Sequence, residues 1–370
     1  MAKTEFGVNH PLAVKLWSKN LAVEAYRKAF VGKFIGQGED SLISEKVDLK
    51  KSAGDKITCG LNVQLQGDGI QGDATLEGNE EALQFYDDSL FVDQLRHATR
   101  TKGRMTEQRV PYDLRAVSND RLADWWARRM DESFFNQVCG NNAESDQRRT
   151  GLNSAVAPST NRIIIQGGQS DDQSLTSSDT FTLDLVDIAR QKAETASIED
   201  STGPLIRPIR IEGNDYYVMF LHDYQVYDLR TNTASGQWLD IQKAAMQGGD
   251  VTDNPIFNGA LGMYNGVVLH KASRVTNGVN SSTGAAVADT KRAVLCGAQA
   301  AMIAFGSENS ETRYTWVEEM FDYGNQLGVS AGAIWGMKKT KFVPADDAST
   351  NAEDFGTVVV STYAAAAATS

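Results

Sequence analysis

Nine residues, Ile57 to Leu65, read ITCGLNVQL and alternate apolar with polar without a break. That period of two predicts a strand with Ile57, Cys59, Leu61, Val63 and Leu65 on one face and Thr58, Gly60, Asn62 and Gln64 on the other. Its length would be about 30 Å at about 3.3 Å per residue. The run QGDGIQGD follows, and Ala74 and Leu76 can begin a return strand. A lone two-stranded hairpin is at best marginally stable in water, so its apolar face needs a partner. That partner is expected to be another subunit, with Ile57, Leu61, Val63, Leu65, Gly67 and Gly69 as contact positions.

Elsewhere the period changes to that of a helix. After His10-Pro11, the positions Val14, Trp17, Leu21, Ala25 and Ala29 predict an amphipathic N-terminal helix. The strongest helical signal runs from Asn119 to Cys139, where Leu122, Trp126, Met130, Phe134 and Val138 recur at every fourth position. Trp125 and Phe135 widen that stripe, while Arg121, Asp124, Arg128 and Glu132 face away. Gly140-Asn141-Asn142 supplies a stop. These 21 residues would span about 30 Å at 1.5 Å each, the spine of a lobe with Leu122, Trp126, Met130 and Phe134 in its core. FYDDSLFVDQL, between Glu80 and Gly103, fits strand or helix equally.

A Ser- and Asp-rich stretch, Gln166 to Asp179, marks a boundary, and a helix from Leu183 to Ala196 opens a second lobe, its inward face made by Leu185, Ile188, Ala189 and Ala196. RPIRIEGNDYYVMFLH predicts a hairpin turning at Gly213-Asn214, and Tyr216 to Leu221 a strand buried on both faces. Gly266 to His270 predicts another buried strand. The segment between Val275 and Asp289 predicts a surface loop, and Arg292 to Phe305 a small-residue segment suited to strand-to-helix packing. The second lobe is thus α+β.

At 370 residues the chain exceeds the size of a single core, and 41% apolar with 23% charged residues is ordinary for a globular protein. No apolar run approaches the roughly 20 residues that cross a bilayer, so no membrane association is expected, and the N-terminus lacks the apolar centre of a signal peptide. The net charge of −12 argues against a general nucleic-acid binder. Locally, Arg96 to Arg129 carries nine bases against four acids, a net of +5, whereas Pro344 to Ser370 carries Asp346, Asp347, Glu353 and Asp354 and no base. Such charges pair, are solvated, or meet nucleic acid or an acidic neighbour. Cys59, Cys139 and Cys296 form no CxxC pair and predict small buried hydrophobes. His10, His97, His222 and His270 lie in no ligand spacing, and His222 predicts a structural role at a strand end. There is no GxSxG, P-loop or GxGxxG, so no catalytic residue, metal ligand or cofactor is assigned.

Six blocks in order carry a resemblance: GDKIT (Gly54 to Thr58), LEGNEEAL (Leu76 to Leu83), RLADWWARRMDESFF (Arg121 to Phe135), NPIFNGALGMYNGVVLH (Asn254 to His270), EEMFDYGN (Glu318 to Asn325) and DFGTVVVST (Asp354 to Thr362). Together they resemble the major capsid proteins of tailed phages, in the branch of short-tailed phages that carry a giant virion RNA polymerase. The resemblance implies a Hong Kong 97-type capsid fold: an N-terminal arm (1–46), an E-loop (47–81), a P-domain with spine helix (82–182), an A-domain (183–337) and a C-terminal return to the P-domain (338–370). It further implies a homo-oligomeric icosahedral shell of hexamers and pentamers, assembled in the host cytoplasm around packaged double-stranded DNA. A separate scaffold protein is expected because only ten residues precede the first helix, and the resemblance implies a portal and room for decoration proteins as further partners. An encapsulin-like nanocompartment shell is the alternative within the fold, and an enzyme the alternative outside it.

Overall fold

Asp113 starts the longest helix among the described residues. Its carboxylate accepts from the backbone N–H of Arg115 at 2.9 Å and of Ala116 at 3.4 Å, satisfying donors that a helix leaves open. The helix then runs Leu114–Val138, five residues further toward the N-terminus than the apolar stripe predicted. At its far end Gly140 takes a left-handed φ of 65°. Gly140 N–H bonds Gln137 C=O at 3.1 Å and Asn141 N–H bonds Asn136 C=O at 2.9 Å, the paired closure of a Schellman motif.

The computed structural model describes residues 11–47, 54–62, 69–72, 75–78, 80, 85–195, 205–211, 213–232, 260–306, 313–344 and 352–367. Its strands are β1 Ile35–Gly36, β2 Ile43–Lys46, β3 Lys56–Asn62, β4 Phe85–Phe91, β5 Asp93–Arg100, β6 Ile163–Ile165, β7 Ile209–Ile211, β8 Asn214–Leu221 and β9 Gly262–Tyr264. They continue with β10 Val267–Lys271, β11 Thr290–Cys296, β12 Ala301–Gly306, β13 Thr315–Phe321, β14 Gln326–Lys339, β15 Lys341–Pro344, β16 Glu353–Asp354 and β17 Thr357–Tyr363. The helices are α1 Pro11–Lys28, α2 Arg104–Arg109, α3 Leu114–Val138, α4 Gln147–Thr150, α5 Leu183–Glu194 and α6 Asp223–Thr231.

Three sheets result. The first has the order β1-β2-β12-β14-β13, with β5 also paired to β14. Its long strand β14 alternates, and Val329, Ala331, Ala333, Trp335 and Met337 are buried. They meet the α3 stripe of Leu122, Trp126, Met130, Phe134 and Val138 and the α1 residues Leu21 and Ala25 in one core. Between helix α1 and β1 the chain turns on Asp131, a buried carboxylate in the apolar face of α3 that accepts from Phe30 N–H at 3.2 Å and Val31 N–H at 3.0 Å.

The second sheet, β6-β17-β11-β8-β10-β9 with β7 on β8, lies between two cores. Val218 and Phe220 of β8 face the α1/α3 side, while Tyr217, Met219 and Leu221 face α5 and α6. This is the strand expected to be buried on both faces. β10 runs parallel beside it, with Val267 opposite Tyr217. The third sheet is β16-β15-β4-β3.

Several expectations change. FYDDSLFVDQL forms β4 and the start of β5. The β7–β8 turn closes one residue earlier than expected, since Ile211 pairs with Asn214. Arg292 to Phe305 does pack on helices, as two strands of different sheets: Val294, Cys296, Ile303 and Phe305 share the core of α3, and Ala293 and Leu295 that of α5. The small residues serve close backbone approach, for a Cβ on Gly297 would lie 2.4 Å from the Arg207 carbonyl oxygen. On α5 the inward stripe is Leu185, Val186, Ala189 and Ala193, which turns Ile188 to the flank at 46% exposure; Ala196 lies outside the described residues. The stretch Gln166 to Asp179 is laced into the fold, with Asp172 and Asp179 buried. The sheets also cut across the expected lobe boundaries. β13, within 183–337, and β14, which runs across the 337/338 boundary, build the sheet that α3 covers, and β17, within 338–370, pairs with β11 and β6 in the second sheet. Pairings so distant in sequence leave no local periodicity to read.

Candidate assembly surfaces

β3 and β4 pair antiparallel from Lys56 with Phe91 to Asn62 with Phe85. The return strand is therefore β4, and Ala74 and Leu76 lie in the connection: Leu76 is 60% exposed and Ala74 is outside the described residues. Ile57, expected to await a neighbouring subunit, is covered by its own chain. It is 4% exposed and packs with Leu90, Val92, Met302 and Ala304 over the first sheet. The base of the hairpin is also tied by polar groups. Asn153 brackets Phe91, accepting from its N–H at 3.0 Å and donating to its C=O at 2.7 Å. Lys338 pairs with buried Asp88, which also accepts from Lys341 N–H at 3.0 Å.

Beyond that base the described residues of the connection, 69–72, 75–78 and 80, are exposed. Leu61 belongs to β3, but its side chain lies outside the described residues, as do Val63, Leu65 and Gly67. Gly69 is exposed and left-handed at φ 73°, and a Cβ there would meet nothing within 4 Å. That glycine serves backbone direction, not close packing. Ile70 is 38% exposed, and Thr75 to Gly78 and Glu80 are exposed too.

The spine positions all fall where the stripe placed them. Leu122, Trp126, Met130 and Phe134 are each at most 2% exposed. The Trp126 ring lies 5.1 Å from Trp125, 5.0 Å from Tyr314 and 6.3 Å from Trp335 in edge-on arrangements. Charges on the outer side pair along the helix, Arg128 with Glu132 at 2.7 Å and Arg129 with Glu132 at 3.1 Å. Within the basic segment Arg115 pairs with buried Glu318 at 2.6 Å, and His97 stacks on Trp125 at 4.5 Å.

Two buried ion pairs were invisible to pattern reading. Arg292 of β11 reaches Asp172 at 2.6 Å and donates to the Gly140 carbonyl at 2.7 Å, joining the end of α3 to the second sheet. Lys339 meets Asp354 at 2.9 Å, with both side chains at most 1% exposed; burial pulls the Lys339 pKa down while Asp354 holds it up. Asp131 alone had a signal, a carboxylate interrupting the apolar stripe of α3. Burial pushes its pKa up, against the pull of the Val31 and Phe30 N–H groups.

The chemistry-bearing side chains are structural. His222 caps α6, its Nδ1 accepting from Tyr224 N–H at 3.2 Å, and burial and then Lys291 lower its pKa to about 4. His270 is buried against Phe34 and Phe220. The thiols of Cys139 and Cys296 are buried and pushed up by desolvation, and Cys59 is half-buried. Among the described residues no group of three His, Cys, Asp or Glu could hold a metal ion. No helix among them is long and apolar enough to cross a membrane.

A spine helix on a long-stranded sheet, a second sheet between two cores, and an outward hairpin is the arrangement that the comparisons match. A family model described as phage capsid protein covers residues 5–366. The chain belongs to the phage capsid protein family. The capsid of Ralstonia phage GP4 superposes with a TM-score of 0.79 at 34% identity, covering 100% of both chains. The major capsid protein of Pseudomonas phage KPP25 is 29% identical over 379 residues, 95% of this chain and 94% of that one. The cyanophage Pam1 capsid asymmetric unit shares the fold at a TM-score of 0.66 and 20% identity, over 99% of this chain and 95% of that one. The fold is thus the Hong Kong 97-type capsid fold, and the chain is a structural component of a phage virion, a reading favoured over an encapsulin-like shell.

Proposed function

We propose that each subunit is clasped into an icosahedral shell of hexamers and pentamers by its outward connection, the E-loop of residues 47–81, lying over an adjacent subunit. The expected arm (1–46) is held within its own chain, with Leu21 and Ala25 in the core and β2 paired with β12. The observation that carries the clasp is the exposed stretch around Ile70 and Leu76, apolar side chains at 38% and 60% exposure beyond a hairpin base already anchored in its own chain. Ile57 belongs to that anchor, and the contact role falls to Leu61, Val63, Leu65, Gly67 and Gly69. Weak contacts repeated around a closed shell give high collective stability. The lobes follow the sheets: a P-domain of α3 with the first sheet, and an A-domain of the second sheet with α5 and α6.

The shell encloses packaged double-stranded DNA, and a net charge of −12 keeps the chain from gluing that polymer in place. Scaffold, portal and decoration proteins act as separate partners, assembly takes place in the host cytoplasm, and the chain performs no catalysis. The six sequence blocks favour the branch with a giant virion RNA polymerase. Replacing Leu61 and Val63 with Asp tests the clasp: a folded subunit that no longer sediments as shells is expected, and normal shells would reject it.

A further inference from the structure

We propose that the distal outer face of the first sheet, with Arg96 and Arg100 as its cations, is the seat for the acidic connection of a second copy. This rests on the shell reading above and names the surface that receives the loop. On β5, His97 stacks on Trp125 of α3 at 4.5 Å. Strand alternation therefore sends Arg96, Ala98 and Arg100 to the opposite face, where all three are exposed. The proximal part of that face is covered by the hairpin base, through Ile57 and Leu90 over Met302 and Ala304. The distal part is open, and Val317 there is 51% exposed.

Its floor is Gly328, Ser330 and Gly332 of β14, and the two glycines shape it. A Cβ on Gly332 would come within 2.9 Å of Arg96 Cγ, and one on Gly328 within 2.6 Å of the Phe321 ring. With hydrogen in those places the Arg96 stem and the Phe321 ring lie flat, and the Arg100 guanidinium sits 4.1 Å over that ring. Four residues of strand separate the two cations, about 13 Å. Arg115, Arg121, Arg128 and Arg129 in the same basic segment each hold a carboxylate. Among the described residues Arg96 and Arg100 hold none. Glu319 shares the face from β13 but forms no ion pair with either.

The complementary segment is in the same sequence. Residues 63–81 carry Asp68, Asp73, Glu77, Glu80 and Glu81 with no Lys or Arg, a net of −5, interleaved with Ile70 and Leu76. An acidic strip with apolar side chains fits a shallow shelf bearing two unpaired cations beside exposed Val317.

The test uses the full chain. Arg96→Glu with Arg100→Glu should keep the circular dichroism and melting temperature of the wild type while its assembled fraction, measured by sedimentation, falls about tenfold or more. Adding Glu77→Lys with Glu80→Lys to that variant should restore shells. Unchanged assembly, a loss that the reversed loop does not rescue, or a change in DNA retention alone would overturn the proposal. As an independent readout, Ala98→Cys with Leu76→Cys should yield disulfide-linked chains in oxidised shells, and their absence would also overturn it. Wild-type chain that forms no shell would bring down the shell reading itself, an outcome the wild-type control separates from the others.

Discussion

Breaking the Asp172–Arg292 pair should reveal how α3 is fastened to the second sheet. Asp172 Oδ2 takes Arg292 Nη2 at 2.6 Å, Arg292 Nε at 2.9 Å and Val279 N–H at 2.8 Å, with side-chain exposures of 2% and 6%. Asp172→Leu strands a guanidinium in a dry site, which costs about 3–5 kcal/mol. Arg292→Met strands the carboxylate at a similar cost and also removes donors to the Cys139 and Gly140 carbonyls, each worth about 0.5–1.5 kcal/mol. The double variant, Asp172→Leu with Arg292→Met, leaves no unpaired charge, only those lost hydrogen bonds and the one that Val279 N–H made to Asp172. It should therefore cost about 1.5–4.5 kcal/mol, less than either single change and far below their sum. Urea unfolding of the unassembled subunit, followed by tryptophan fluorescence at constant m-value, measures all three. A double variant whose loss equals the sum of the singles would refute the buried-pair reasoning.

The spine and the α6 cap give further tests. Trp126→Ala should cost about 3–5 kcal/mol, as large core truncations do. Trp126→Phe should cost under about 1.5 kcal/mol, because the indole N–H it removes has no hydrogen-bond partner among the described residues; equal losses on unfolding would show that the ring does not pack as described. His222 is held at about 4 in the fold against an ordinary 6.5. The unfolded chain thus takes up that proton first, and the stability His222 contributes is complete above pH 6.5 and lost as pH falls toward 4. Asp228, raised to about 6 by burial, works in the opposite direction, its contribution fading as pH rises from 3.8 through 6. His222→Asn keeps an acceptor for Tyr224 N–H, so melting temperatures at pH 7, 6 and 5 should fall less than in wild type; identical slopes would remove His222 as the cause.

What could be read in the sequence was what repeats locally. The α3 stripe was legible because each of its fourth-position residues faces one core, and the β8 strand because both of its faces are buried. The resemblance blocks supplied the fold family, which periodicity alone did not. The hairpin alternation was legible as a strand, yet not its partner: Ile57 is satisfied by Met302 and Ala304, more than 200 residues away in sequence. Separations of 120 and 203 residues likewise hid the Asp172–Arg292 and Arg115–Glu318 pairs, which no local pattern announces. The small residues between Arg292 and Phe305 announced close approach, to helices on the strand faces and to the Arg207 backbone at Gly297. The arginine shelf was visible only as a net charge; the side that Arg96 and Arg100 take was set by His97 stacking on Trp125.

Sedimentation of the purified full-length chain followed by negative-stain imaging tests the shell most directly. Closed particles of uniform curvature built from this chain are predicted. A compact species that stays monomeric at high concentration, with Ile70 and Leu76 still exposed, would contradict it.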